Sequence, residues 1–172
     1  MAEFAGTPDG GGEGRRFVVV ASRFNEGITL KLAEGAVQTL IDAGAAYDDV
    51  DLVWVPGAWE LPVAARLALA SGRYDAVVAV GAVVRGETPH FDFVAGEASR
   101  GLAAVSAEFE VPVGFGLLTC DTMAQAEARA GGAHGNKGVD AARAALEMAD
   151  LFARLSIETD ESGEGDSSAR PY

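Results

Sequence analysis

The chain of 172 residues is long enough for one domain with a substantial core, and 49% of it is hydrophobic, yet no apolar run reaches the roughly 20 residues of a membrane span. A formal charge of −13 excludes bulk electrostatic attraction to nucleic acid or an anionic membrane. The lone cysteine, Cys120, excludes an intrachain disulfide and a multi-cysteine zinc site. No basic segment followed by an apolar one marks a signal peptide, so a reducing cytoplasm is the expected compartment.

Residues 1–14 hold five glycines and one proline and are expected to form a flexible arm, available to lie along a neighbour. Phe17–Ala21 is an unbroken apolar run that predicts a buried strand. Ser22–Glu26 is a loop entering a helix on which Ile28, Leu32, Ala36 and Leu40 recur four apart, with Gly44 as its stop. Val50–Val55 predicts a second strand, Pro56–Glu60 a turn, and Leu61–Ser71 a helix with Pro62 in its first turn. Tyr74–Val84 is the third strand and Phe91–Phe109 a helix. Val113–Thr119 is the fourth strand. Asp121 or Thr122 caps a short helix to about Ala130. Gly131–Gly135 reads as a loop, and Asn136 caps a long last helix with Val139, Ala142, Leu146 and Ala149 on one face. Residues 157–172 carry five acidic side chains against Arg170 alone and are expected to be a disordered acidic tail.

Four strands alternating with helices, without repeats or a linker, point to an α/β fold. The expected form is a three-layer α/β/α sandwich, flavodoxin-like, with a central four-stranded parallel sheet. An N-terminal edge strand from a neighbour would be an addition to it. Residues 15–156 form the single domain. Each polar loop Ser22–Asn25, Pro56–Glu60, Arg85–His90 and Leu118–Thr122 follows a strand, so all four converge on one sheet edge, where open α/β sheets bind ligands.

The most informative stretch runs from Gly81 to Phe93, where an apolar strand breaks into Arg85-Gly-Glu-Thr-Pro-His90. His90 is one of two histidines, and imidazole exchanges protons near neutral pH. On pattern alone His90 is equally a surface or helix-capping residue. Gly86-Glu87-Thr88 is either a plain turn or a set of backbone and hydroxyl donors for an anion, with Arg129 as the charge-assisted partner. Phe24 and Phe115 read equally as core aromatics, although Phe24 lies in a polar loop, a setting suited to stacking on a flat heterocycle. Glu60 can be a solvated first-turn carboxylate, and Trp59 a lid on the core edge. The glycines of the arm follow no strand. Lys137 is followed by Gly138 rather than Ser or Thr, so neither region is a nucleotide-phosphate loop.

Taken together, Arg23-Phe-Asn25, Val55-Pro-Gly-Ala-Trp-Glu-Leu-Pro62, Gly81 through Val94, Gly116-Leu-Leu-Thr119 with Asp121-Thr122, and Gln125 to Gly131 resemble the lumazine synthase family. Gly135-Asn-Lys-Gly138 and Ala144–Met148 complete the resemblance, which spans about Phe17 to Leu155. It implies condensation of 5-amino-6-(D-ribitylamino)uracil with 3,4-dihydroxy-2-butanone 4-phosphate to 6,7-dimethyl-8-ribityllumazine, phosphate and water. This is the penultimate step of riboflavin biosynthesis, and the resemblance implies no metal and no cofactor. It makes His90 the proton shuttle and places Phe24, Ala58, Trp59, Glu60, Ala82, Val83, Val84 and Phe115 around the pyrimidine substrate. Glu87, Thr88 and Arg129 then hold the butanone phosphate, with Asn25, Lys137 and Asp140 in support. Trp59 stands where the family often has Phe, and Ala128 where it can have an acidic residue.

The resemblance also implies a pentamer with shared sites, in some members closed into a sixty-subunit shell, and riboflavin synthase as a candidate protein partner. The alternative on the same scaffold is a non-catalytic lumazine- or flavin-binding protein, or one whose role is to form a shell.

Overall fold

Strands that read as continuous apolar runs must be covered on both faces, and Phe17–Ala21 and Ala76–Ala82 are. The computed structural model describes the backbone of residues 1 and 3–163 and the side chains of that range up to residue 156. Strands β1 (Phe17–Ser22), β2 (Val50–Val55), β3 (Ala76–Val84) and β4 (Val113–Cys120) form one parallel sheet in the order β2–β1–β3–β4. Alternate residues of each strand point to opposite faces. Phe17, Val19, Val78 and Val80 pack with Leu32, Leu40 and Leu146, under helices α1 (Glu26–Asp42) and α5 (Lys137–Gly163). Val18, Val20, Val77 and Ala79 pack with Leu61, Leu69 and Leu102, under α2 (Leu61–Ala70) and α3 (His90–Phe109). The result is the expected three-layer sandwich, and each fully buried Val or Leu side chain stabilises it by roughly 1.5–3 kcal/mol.

Local chemistry sets the helix ends. The Gly44 N–H donates to Ile41 O and the Ala45 N–H to Leu40 O, a Schellman stop that needs the left-handed φ of 102° at Gly44. Thr122 Oγ1 accepts from the Gln125 N–H at 3.2 Å and caps α4 (Met123–Ala128). Asn136 Oδ1 accepts from the Gly138 N–H at 2.9 Å and starts α5, while its Nδ2 donates to Lys31 O at 2.8 Å and ties that start to α1. A Cβ on Gly138 would collide with the Leu32 carbonyl, so α5 lies on α1 only because this position is glycine.

Three regions differ from the sequence reading. Residues 130–136 form a small hairpin, β5 (Ala130–Gly132) paired with β6 (Gly135–Asn136), rather than a plain loop. The glycine-rich arm folds back on its own chain without forming a strand. Its Gly12 N–H donates to Ala43 O, its Thr7 N–H donates to Asp150 Oδ2 at 3.0 Å, and Gly11 and Gly12 are buried. Helix α5 continues to Gly163, past residue 156, and the rest of the expected acidic tail lies outside the described residues. Among the described residues no helix is long and apolar enough to cross a membrane.

Candidate functional site

The chain runs from β1 outward to β2, then returns across β1 to lay down β3 and β4. The loops after β1 and β3 therefore leave in opposite directions and open a crevice at the carboxyl ends of the strands. The loop after β1 is fixed by backbone bonds to the loop after β2: the Arg23 N–H donates to Val55 O at 2.8 Å and the Phe24 N–H to Pro56 O at 3.1 Å. Asn25 takes a left-handed conformation (φ 63°), which Asn tolerates better than most residues. Its side chain does not cap α1. Instead its Nδ2 donates to Ala82 O at 2.9 Å, joining the loop to β3. The Phe24 ring is thereby held on a fixed backbone with 71% of its surface exposed.

After β2, a single 3₁₀ turn (Ala58–Glu60) leads into α2. Glu60 Oε2 accepts from the Gly57 N–H at 2.9 Å, so its carboxylate is oriented by its own loop. After β3 the chain forms the polar loop Arg85–Pro89, and His90 is the first residue of α3. The His90 ring makes no hydrogen bond to any described residue; its position rests on the backbone that carries it. Arg85 grips that backbone. Its Nε donates to Asp121 Oδ1 at 2.9 Å, its Nη1 lies 3.2 Å from Asp92 Oδ1, and its guanidinium stacks 4.1 Å from the Phe91 ring centre. The hydrogen bond that Arg85 donates to Asp121 pushes the guanidinium above its usual range; burial opposes this, and the bond donated to Asp92 adds to it.

These loops enclose a cavity of about 340 Å³ lined by Phe24, Ala58, Trp59, Glu60, Ala82, Val83, Val84 and His90. Its walls are predominantly apolar, with one carboxylate and one imidazole, a composition usual for small-molecule sites. Pro56, Gly57 and Val94 also line it and were not singled out from sequence. All three lie inside motifs that carry the resemblance, and Val94 falls one helical turn after His90.

The other expected site residues lie elsewhere in the chain. Glu87 and Thr88 are exposed in the loop before α3 and do not line the cavity. Phe115, on β4, is half-exposed and lines two open grooves between β4, α3 and α5, of about 820 and 410 Å³. Lys137 and Asp140 line the smaller groove and pair with each other at 2.6 Å. Arg129, at the end of α4, donates to Gln125 O at 3.0 Å and has no carboxylate partner among the described residues. Burial raises the Cys120 thiol, which leaves it a poor nucleophile at the end of β4.

Residues 14–153 match the family model described as 6,7-dimethyl-8-ribityllumazine synthase. A curated protein of Gemmatimonas aurantiaca named 6,7-dimethyl-8-ribityllumazine synthase is 67% identical over 166 residues, covering 95% of this chain and 100% of that protein.

Proposed function

The chain belongs to the 6,7-dimethyl-8-ribityllumazine synthase family, and from that premise we propose which residues carry the reaction. The protein is a transferase of riboflavin biosynthesis. It condenses 5-amino-6-(D-ribitylamino)uracil with 3,4-dihydroxy-2-butanone 4-phosphate to give 6,7-dimethyl-8-ribityllumazine, phosphate and water.

The single cavity that collects Phe24, Glu60, the end of β3 and His90 carries the assignment. Phe24 stacks on the pyrimidinedione ring, and Ala82, Val83 and Val84 line its edge. Ala58 and Trp59 flank the ribityl chain. Glu60 already accepts from Gly57 with Oε2, which leaves Oε1 for the ribityl hydroxyls. Asn25 supports the ring site by holding the Phe24 loop to Ala82. His90 moves the protons. Imine formation expels one water, elimination expels phosphate, and ring closure followed by dehydration expels a second water; an imidazole can move the protons these steps require. Glu87 and Thr88 offer backbone and hydroxyl donors to the phosphate beside the amino end of α3.

Phe115, Arg129, Lys137 and Asp140 do not line the His90 cavity of their own chain. We assign them to the cavity of an adjacent copy, within a pentamer. There Arg129 pairs with the phosphate, Phe115 closes the ring pocket, and Lys137 with Asp140 supplies supporting charge. A guanidinium without a carboxylate partner among the described residues and a half-exposed phenyl ring on the flank support this reading. The turn between Gly132 and Gly135 is only two residues long, and we read so short a turn as allowing pentamers to close into a shell. Sedimentation of the purified protein counts the copies. The lone cysteine and the absence of a membrane-spanning helix among the described residues support a cytoplasmic setting.

The test is to mix the protein with both substrates and follow product fluorescence and phosphate release together. Both signals should rise in step, and His90→Ala should slow both by at least about 100-fold while still binding the pyrimidine. Normal turnover in that variant would remove His90 from the mechanism.

A further inference from the structure

We propose that Arg85 is a positioning residue for this reaction: it locks the His90 loop in its working orientation without touching substrate. The proposal rests on the reading of His90 as the proton shuttle. Arg85 is the last residue before the loop turns away from the sheet, and its own N–H donates to Cys120 O at 2.9 Å, extending the β3–β4 ladder by one bond. Its side chain then reaches past the loop. It meets Phe91 and Asp92, the two residues that follow His90, and Asp121, the first residue after β4. One rigid fork therefore ties both ends of the loop Gly86–His90 to each other and to the neighbouring strand. Lysine could supply the charge but neither the two-directional fork nor the flat stack on Phe91.

The imidazole of His90 has no hydrogen-bond partner of its own among the described residues, so nothing local holds its ring. Its position follows the first turn of α3, and that turn is fixed to the sheet edge through Arg85. Each of these ion pairs is exposed and weak alone. Their function here is geometric, because a displacement of about 1 Å at a reacting group can cost about 100-fold in rate.

The experiment compares Arg85→Gln, Arg85→Lys, Asp121→Asn and the double variant Arg85→Gln/Asp121→Asn in the assembled enzyme. Arg85→Gln is expected to lower kcat about 10- to 100-fold. Pyrimidine binding should stay within about twofold, since no contact to substrate is lost. Arg85→Lys should recover only part of kcat, and Asp121→Asn should add nothing to Arg85→Gln, because the fork is already broken. Wild-type kcat in Arg85→Gln, full rescue by lysine, a loss confined to KM, or additive losses would each overturn the proposal. If Arg85→Gln does not assemble, Arg85→Lys and Asp121→Asn decide the matter by the same kcat-against-KM split. His90→Ala, measured in parallel, separates the two readings. Normal turnover there places the fault in the His90 assignment, whereas slow His90→Ala with normal Arg85→Gln overturns the positioning role alone.

Discussion

The loop-lined cavity and the β4–α5 flank are built from the same sheet, yet they differ in how their polar groups are supported. Around the cavity the chain supports its own site residues: Asn25 is bonded to Ala82, Gly57 to Glu60, and Arg85 to Asp92 and Asp121. On the flank, among the described residues, Arg129 has no carboxylate partner, Phe115 is half-exposed, and Lys137 is matched only by Asp140. One chain thus completes the cavity but leaves Arg129, which we propose to pair with the phosphate, outside it. On this reading, assembly adds chemistry to the site and not only stability.

Mixing two dead variants attacks that contrast directly, and it carries the largest expected effect. His90→Ala should lose about 10²- to 10⁴-fold in kcat. Arg129→Ala should lose about 10- to 100-fold in kcat/KM for the phosphorylated substrate, the equivalent of about 1.5–3 kcal/mol for a charged hydrogen bond. When the two are unfolded, mixed equally and refolded, random assembly of a site shared by neighbouring copies should restore about a quarter of the wild-type sites. A site complete within one chain would give no recovery above the separate variants, and the division between cavity and flank would collapse.

Much of this was legible in the chain before any coordinates. Unbroken apolar strands fix a sheet covered on both faces, and Gly44, Thr122 and Asn136 mark helix ends through short-range bonds that a sequence window contains. The cavity was legible because its walls are the end of β3, the start of α3 and loops that directly follow strands. What escaped depends on long-range pairing. Arg85 meets Asp121 36 positions away, and Thr7 meets Asp150 143 positions away. The β5–β6 hairpin escaped for a different reason. Its strands are two or three residues long and glycine-rich, with left-handed Gly131 and Gly135, so no alternating pattern exists to read. Phe115 and Arg129 lie away from the His90 cavity of their own chain, and their proposed place in a neighbour's site is not encoded by a pattern within one chain.

A smaller effect sharpens the cavity side. Phe24 is held by backbone bonds and exposes most of its ring, so its removal should cost the fold little and the pyrimidine much more. Phe24→Ala should weaken pyrimidine binding by about 1 kcal/mol, roughly fivefold, from the lost stack, and Phe24→Tyr should retain it. Equal affinity in Phe24→Ala would mean that the ring does not lie against the heterocycle. Thermal melting of both variants should match the wild type.

The smallest effect lies at the end of the molecule opposite the cavity, where the arm meets the carboxyl end of α1 and the side of α5. Burial alone would raise the Asp150 carboxyl, but the Thr7 N–H and then the guanidinium groups of Arg154 and Arg15 outweigh it and hold it below the usual carboxylate range. A carboxyl depressed on folding contributes stability that is fully present above its unfolded value of 3.8 and is lost as pH falls through the lower folded value. Docking of the arm should therefore be independent of pH near neutrality and loosen only below about pH 4. Asp150→Asn should abolish that acid dependence and speed amide exchange of residues 6–12 above about pH 4, with a melting shift of a few degrees. Turnover should not change, because the arm lies at the amino ends of the strands and the reaction at their carboxyl ends. A fall in kcat with the arm released would join the two ends of the sheet and break the separation of support from chemistry drawn between its regions.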